Sequence, residues 1–179
     1  MKKNKKIQTK KGFSLVEVLV SILVLSFGIV GISSLMMQNI KASVEAKNQI
    51  IAAELAQEGI ELVRNMRDNN PSDFGTYFVY TGGGAEYIID NGYTYADFKN
   101  SVNPTVDKEK LYIKSGYYGH GSNGAVSTKF YRKVNITKDD IKHNHNVTSY
   151  VTWGADPDAS FADCNLANHC ISTLSVLPL

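Results

Sequence analysis

KKGFSLVEVLVSILVLSF, residues 10–27, opens with two lysines and a glycine and then turns apolar at Phe13, with one acid, Glu17. The apolar character continues to Met37, so residues 13–37 form a run of 25 with a single charged side chain. At about 1.5 Å per helical residue, that run crosses a ~30 Å hydrocarbon core. A carboxylate inside such a span costs roughly 2.5–3.5 kcal/mol to insert. Glu17 therefore needs a partner.

The flanking charge sets the orientation. Residues 1–11 hold six lysines (Lys2, Lys3, Lys5, Lys6, Lys10, Lys11) and no acid, while the rest of the chain holds 13 Lys and Arg against 17 Asp and Glu. Basic flanks stay in the cytoplasm, so the C-terminal part is expected to be exported. The net charge of +2 belongs to the leader, and the acidic body implies no nucleic-acid partner. A cleaved secretory signal has an apolar core of about 7–15 residues followed by a small-residue site. This span is longer, and the nearest such pattern, Ala42 to Ala46, lies beyond Met37.

No proline interrupts residues 13–70, and strong helix formers dominate 36–67. The spacing predicts a long helix over 13–67, roughly 80 Å if unbroken. Ile40, Val44, Ile51, Leu55, Leu62 and Met66 recur in steps of 4 and 7, an 11-residue repeat near the straight-helix period. This stripe is expected to pack on a globular domain or on neighbouring copies, leaving Glu54, Glu58, Glu61 and Arg64 on a solvated face. Gly28 and Gly31, with Ser26, Ser33 and Ser34, predict local loosening or close helix–helix packing. Arg64 and Arg67 suit the negative end of the helix dipole, and Pro71 stops the helix.

Beyond Pro71, Tyr, Phe, Val, Thr, Gly and Asn take over and helical periodicity is lost. Strands are predicted at 76–80, 86–90, 111–114, 129–136, 147–153 and 171–177. Asn91-Gly92 is a tight-turn signal before a further extended stretch at 93–95, and Thr81 to Gly84 reads as a turn or flexible loop. The run SGYYGHGSN, 115–123, reads as a glycine-rich loop displaying Tyr117 and Tyr118. The fold class is α+β, with an antiparallel sheet over 72–179 laid on the second half of the helix.

The sequence Gly12, Phe13, Ser14, Leu15, Val16, Glu17 after a lysine-rich leader resembles the class III signal of type IV prepilins and pseudopilins. The strings VRNMRDNN (63–70), FYRKVNI (130–136) and VTSYVTW (147–153) are similar to PilV-type minor pilins. The resemblance implies the pilin fold. It divides the chain into a leader, 1–12, a helix, 13–67 (13–37 transmembrane and filament core, 38–67 amphipathic), and a β-rich head, 72–179. It implies cleavage after Gly12 by a prepilin peptidase that also methylates the new amino group of Phe13. Gly12, lacking a side chain, lets the protease approach the backbone. Glu17 becomes the fifth residue of the product, and its carboxylate neutralises the amine of the next subunit, fixing axial register. The implied partners are the peptidase and N-methyltransferase, other pilin subunits, the assembly platform with its ATPase, and membrane lipid before assembly. The implied location is a single pass through the cytoplasmic membrane with the leader inside, then an extracellular pilus or periplasmic pseudopilus. Many major pilins kink this helix with a proline that is absent here, which keeps pseudopilins of secretion or DNA-uptake machines in view. A single-pass anchored binding protein that never polymerises would share the span.

Cys164 and Cys170 are the only cysteines. In an exported domain they are expected to form a disulfide closing a short loop. The rival reading, a metal site of Cys164, His169 and Cys170 joined by His143 and His145, fits no zinc spacing. Asp156 to Ser160 with Asp163 is oxygen-rich but lacks the glycine and terminal glutamate of a calcium hand. Asn135-Ile136-Thr137 and Asn146-Val147-Thr148 match the glycosylation sequon beside predicted strands. The tyrosines are expected mostly to pack on the sheet. No nucleophile motif, phosphate loop or HExxH is present. A structural rather than enzymatic role is expected, with no cofactor and no metal.

Overall fold

The computed structural model describes residues 12–69, 71, 74, 84–91, 97, 105–139 and 141–178. Helix α1, Leu15–Asn69, is followed by β1 (Ala85–Tyr87), α2 (Val106–Glu109), β2 (Lys110–Lys114), β3 (Tyr117–Gly119), β4 (Val126–Asp139), β5 (Asn144–Thr152), α3 (Pro157–Ala162) and β6 (Cys170–Pro178). The architecture is α+β: a long N-terminal helix and a C-terminal antiparallel sheet. The chain divides into two compact units, Met1–Glu45 and Ala46–Leu179, and α1 runs through the division.

In the first unit α1 is continuous through Gly28 and Gly31, where loosening was expected. Ser26 Oγ donates to the Ile22 carbonyl at 2.7 Å and Ser33 Oγ to Ile29 at 2.9 Å. These back-bonds satisfy the hydroxyls within the helix itself, so an apolar environment can surround them.

In the second unit α1 packs on the sheet through Asn48, Ala52, Leu55, Ala56, Gly59, Ile60, Val63 and Met66. This face is rotated from the expected stripe. Leu55 and Met66 lie on it, but Ile51 and Leu62 are its flanks, and Ile40 and Val44 are half exposed. The reason is size. Ala52, Ala56 and Gly59 let the sheet come close. A Cβ at Gly59 would collide with Ser149 Oγ and lie 3.4 Å from Val134 Cγ2.

The sheet order is β3-β2-β4-β5-β6, with β1 also pairing with β4. β4 and β5 register from Tyr131↔Thr152 to Asp139↔Asn144, and β5 and β6 from Asn144↔Pro178 to Thr152↔Cys170. Alternation along β4 turns Phe130, Arg132, Val134 and Ile136 inward, and along β5 His145, Val147, Ser149 and Val151. The buried apolar side chains form two clusters. One holds Ile60, Val63, Met66, Phe74, Val134, Ile136 and Val147 with their neighbours. The other holds Ala52, Leu55, Ala56, Leu111, Phe130, Val151 and Trp153. Arg132 lies on β4 between the residues assigned to each.

The expected strands at 86–90, 111–114, 129–136, 147–153 and 171–177 correspond to β1, β2, β4, β5 and β6. That at 76–80, and the extended stretch at 93–95, lie outside the described residues. The glycine-rich run 115–123 is not a plain loop: it contains β3. Ser115 and Gly116 have φ of 52° and 85°, the double positive φ of a two-residue hairpin turn. Tyr117 is exposed, but Tyr118 packs edge-on to Phe130, centroids 6.3 Å apart. The oxygen-rich run at 156–160 is the start of α3. Asp156 caps it by accepting from Ala159 N at 3.2 Å, and Pro157 occupies the first turn.

Candidate functional site

Gly12, Phe13 and Ser14 precede α1, which starts at Leu15, and Glu17 falls in its first turn. A carboxylate there meets the positive end of the helix dipole. The backbone N–H of Val18 donates to the Ser14 carbonyl at 3.2 Å, so the helical hydrogen bonding begins immediately after Phe13. Ser21 Oγ donates to the Glu17 carbonyl at 2.7 Å.

Every residue from 12 to 44 is exposed. Phe13 is 81% accessible and Leu15 75%. The most apolar 18-residue window of α1 has a mean hydropathy of 2.6, and none of it is buried among the described residues. A soluble protein does not leave such a surface uncovered. The length and composition of this stretch suit a membrane span.

Residues 7–33 match the prokaryotic N-terminal methylation motif. The match contains Gly12, Phe13 and Glu17, and it supports a type IV pilin-like prepilin. The matched residues run into the apolar part of α1 that length and composition suit to a membrane span. No curated protein and no solved structure matches the chain.

At the other end of the chain, Cys164 and Cys170 are joined by a disulfide, Cα atoms 4.9 Å apart. It closes the loop that leads into β6. The His169 carbonyl accepts from Trp153 N at 3.0 Å and from Thr152 Oγ1 at 2.9 Å, fastening this loop to β5. No cluster of three or more His, Cys, Asp or Glu with metal-binding geometry occurs among the described residues. Asn135 and Asn146, the sequon asparagines, sit within β4 and β5, paired with Thr148 and Thr137.

The sequence reading missed a charged group inside the head. On one side β4 pairs with β1 at residues 134–136 and with β2 at 126, 127 and 131. Between them, at Arg132 and Lys133, the described strands leave a gap. The two cations there point to opposite faces. Arg132 is 1% exposed. Its Nη1 donates to Glu58 Oε2 at 2.9 Å and to the Leu55 carbonyl at 3.3 Å, and its Nη2 donates to the Ile89 carbonyl at 2.9 Å. Asp90 Oδ1 lies 3.7 Å from Nη2. Asp90 also accepts from His120, at 2.7 Å from Nδ1 and 2.8 Å from the backbone N–H. Burial pushes the Asp90 carboxyl up, but the His120 hydrogen bonds and charge, with Arg132 behind them, hold it below its usual range. Glu58 is thus tied to Arg132 rather than wholly solvated.

On the other face Lys133 Nζ lies 2.8 Å from Glu86 Oε1 and 4.5 Å from the centre of the Phe161 ring. Glu109, 3% exposed, lies near this pair. Burial pushes its carboxyl up to about 7. Lys133 opposes the rise, and Glu86 and Asp158 add to it.

Proposed function

We propose that the chain is a minor pilin, a structural subunit of a type IV pilus or pilus-like filament that polymerises through α1. The observation that carries this reading is the methylation motif running into an apolar helix that is exposed among the described residues. A prepilin peptidase cuts between Gly12 and Phe13 and methylates the Phe13 amine. The leader stays in the cytoplasm and the head is exported. Before assembly the span 13–37 lies in lipid. On assembly it exchanges lipid for the helices of sibling subunits.

Glu17 supplies the register. Its charge is costly in lipid, and the methylated amine of a neighbouring Phe13 neutralises it only when two copies dock at the right height. Misaligned pairs leave both charges uncompensated. The role is structural rather than catalytic. The working partners are the peptidase, other pilin subunits and, indirectly, the assembly platform and its ATPase.

The test compares the protein in cells with and without prepilin peptidase activity. The account expects an immunoblot shift equivalent to 12 residues, and Glu17→Ala chains that are cut but absent from filaments. An unchanged size, or filaments that admit the Glu17→Ala chain as readily as the parent, contradicts it.

A further inference from the structure

Tyrosines and lysines alternate on the face of the sheet turned away from α1. Leu111 and Phe130 cluster with α1 residues on the inner face, so alternation places Tyr112 and Lys114 of β2 and Tyr131 of β4 on the outer one. Tyr117 of β3 lies opposite Lys114, and Tyr131 lies opposite Lys110. Tyr112 has Gly119 on one side and Ser127 on the other. Each tyrosine is therefore diagonal to the next across one strand step, with Cβ atoms about 7–8 Å apart. Tyr117 is 75% exposed, and Lys110 Nζ lies 5.8 Å from the centre of the Tyr131 ring. Among the described residues no ring contact engages Tyr112 or Tyr117. The charge here is one-sided. Residues 110–138 hold six Lys and Arg and no Asp or Glu, whereas residues 72–179 hold 9 and 11. The acidic sum for the body hides this partition. Arg132 and Lys133 are held by Glu58 and Glu86, and Lys138 lies at the far end of β4. Lys110, Lys114 and Lys129 stand among the rings and enter no ion pair among the described residues.

We propose that this face of β2, β3 and β4 binds single-stranded nucleic acid, with one base on each of Tyr131, Tyr112 and Tyr117 and the lysines on the phosphates. Every base has a π-face, so stacking on tyrosine needs no particular sequence. The diagonal spacing of the rings is about twice the 3.4 Å advance per nucleotide of a stacked strand. Bases laid one to a ring are therefore parted from each other, which a single strand permits and a paired, stacked duplex does not. Lysine meets each phosphate as a point charge. An acidic polysaccharide would use the same charge, but it has no base to set on a ring at every strand. The earlier argument from net charge against a nucleic-acid partner does not reach this face, because the acids lie elsewhere. The inference concerns the head alone and does not depend on filament formation.

The experiment titrates a fluorescein-labelled oligothymidylate, about 12 nucleotides long, with full-length chain in nonionic micelles and reads anisotropy. The lysines of residues 1–11 attract any polyanion, so the deciding variants leave charge untouched. Tyr117→Leu is expected to weaken binding roughly tenfold, and Tyr117→Trp to keep it. The exposure of Tyr117 leaves the melting temperature of both variants at the parent value. Lys114→Gln is expected to reduce the slope of log affinity against log salt by about 0.7. The same oligothymidylate annealed to its complement is expected to bind the parent and Tyr117→Leu alike, since its bases are not free to reach the ring. Unlabelled polygalacturonate, displacing the probe, is likewise expected to act equally on both. An oligothymidylate affinity that Tyr117→Leu leaves unchanged overturns the proposal. So does a loss of the same size for the duplex, which would make the contact one of charge alone, or for polygalacturonate, which would make the surface one for acidic polysaccharide.

Discussion

Arg132 Nη1 donates to Glu58 Oε2 at 2.9 Å, joining the middle of β4 to the exposed flank of α1 with a guanidinium that is itself shut off from solvent. The two ends of this pair are unequal. Arg132 is 1% exposed and Glu58 41%. Removing the buried partner takes the donor from Glu58 and from the Leu55 and Ile89 carbonyls. Removing the exposed one leaves Arg132 with Asp90 and lets water take the vacant place.

Arg132→Ala is therefore expected to destabilise the head by about 3–5 kcal/mol. Glu58→Gln is expected to cost about 1 kcal/mol or less. Urea titration of the full chain in micelles, followed by Trp153 fluorescence, measures both. Equal losses from the two substitutions contradict the asymmetry.

Gly59→Ala sets two effects against each other. Alanine favours the helix by about 1 kcal/mol. The added methyl collides with Ser149 Oγ, and overpacking costs typically 1–3 kcal/mol. The clash is with a short side chain in the middle of a strand paired on both sides, so it wins, and a net loss of about 1 kcal/mol is expected. Ser149→Ala in the same chain removes the colliding oxygen and should recover most of that loss. No recovery would place the cost elsewhere.

Glu109 gives the head a pH dependence of definite sign. Its folded carboxyl titrates at about 7, well above the ordinary value of 4.5. The folded state therefore holds the proton more tightly than the unfolded chain. The stabilisation is complete below about pH 4.5 and is lost as pH rises through 7. Glu109→Gln should flatten the melting-temperature profile across that window and stabilise the head by roughly 1–3 kcal/mol at about pH 8. A substitution that steepens the profile, or destabilises at high pH, contradicts the sign.

The sequence discloses these features unevenly. The N-terminal signal was legible because its chemistry is written in residue order: leader, Gly12, Phe13, Glu17 and an apolar run. Alternation in FYRKVNI and VTSYVTW was equally plain, since one residue in two faces the helix. The Arg132 group was not read, although Phe130, Val134 and Ile136 share its parity and placed it inward. An Arg-Lys pair reads by default as solvated, and its acids come from α1 and from the segment after β1, distant in sequence. The helix face was misjudged for the opposite reason. Ala52, Ala56 and Gly59 carry little hydrophobic weight, yet small size lets the sheet approach closest there. The hairpin at Ser115-Gly116 hid among glycines that suggested a loop.

The account rests on a processed amino terminus, and mass spectrometry of the native protein's N-terminal peptide reads it most directly. The predicted peptide begins at Phe13 and carries one methyl group on its amine. A peptide beginning at Met1 and running unbroken through Gly12-Phe13 would contradict it.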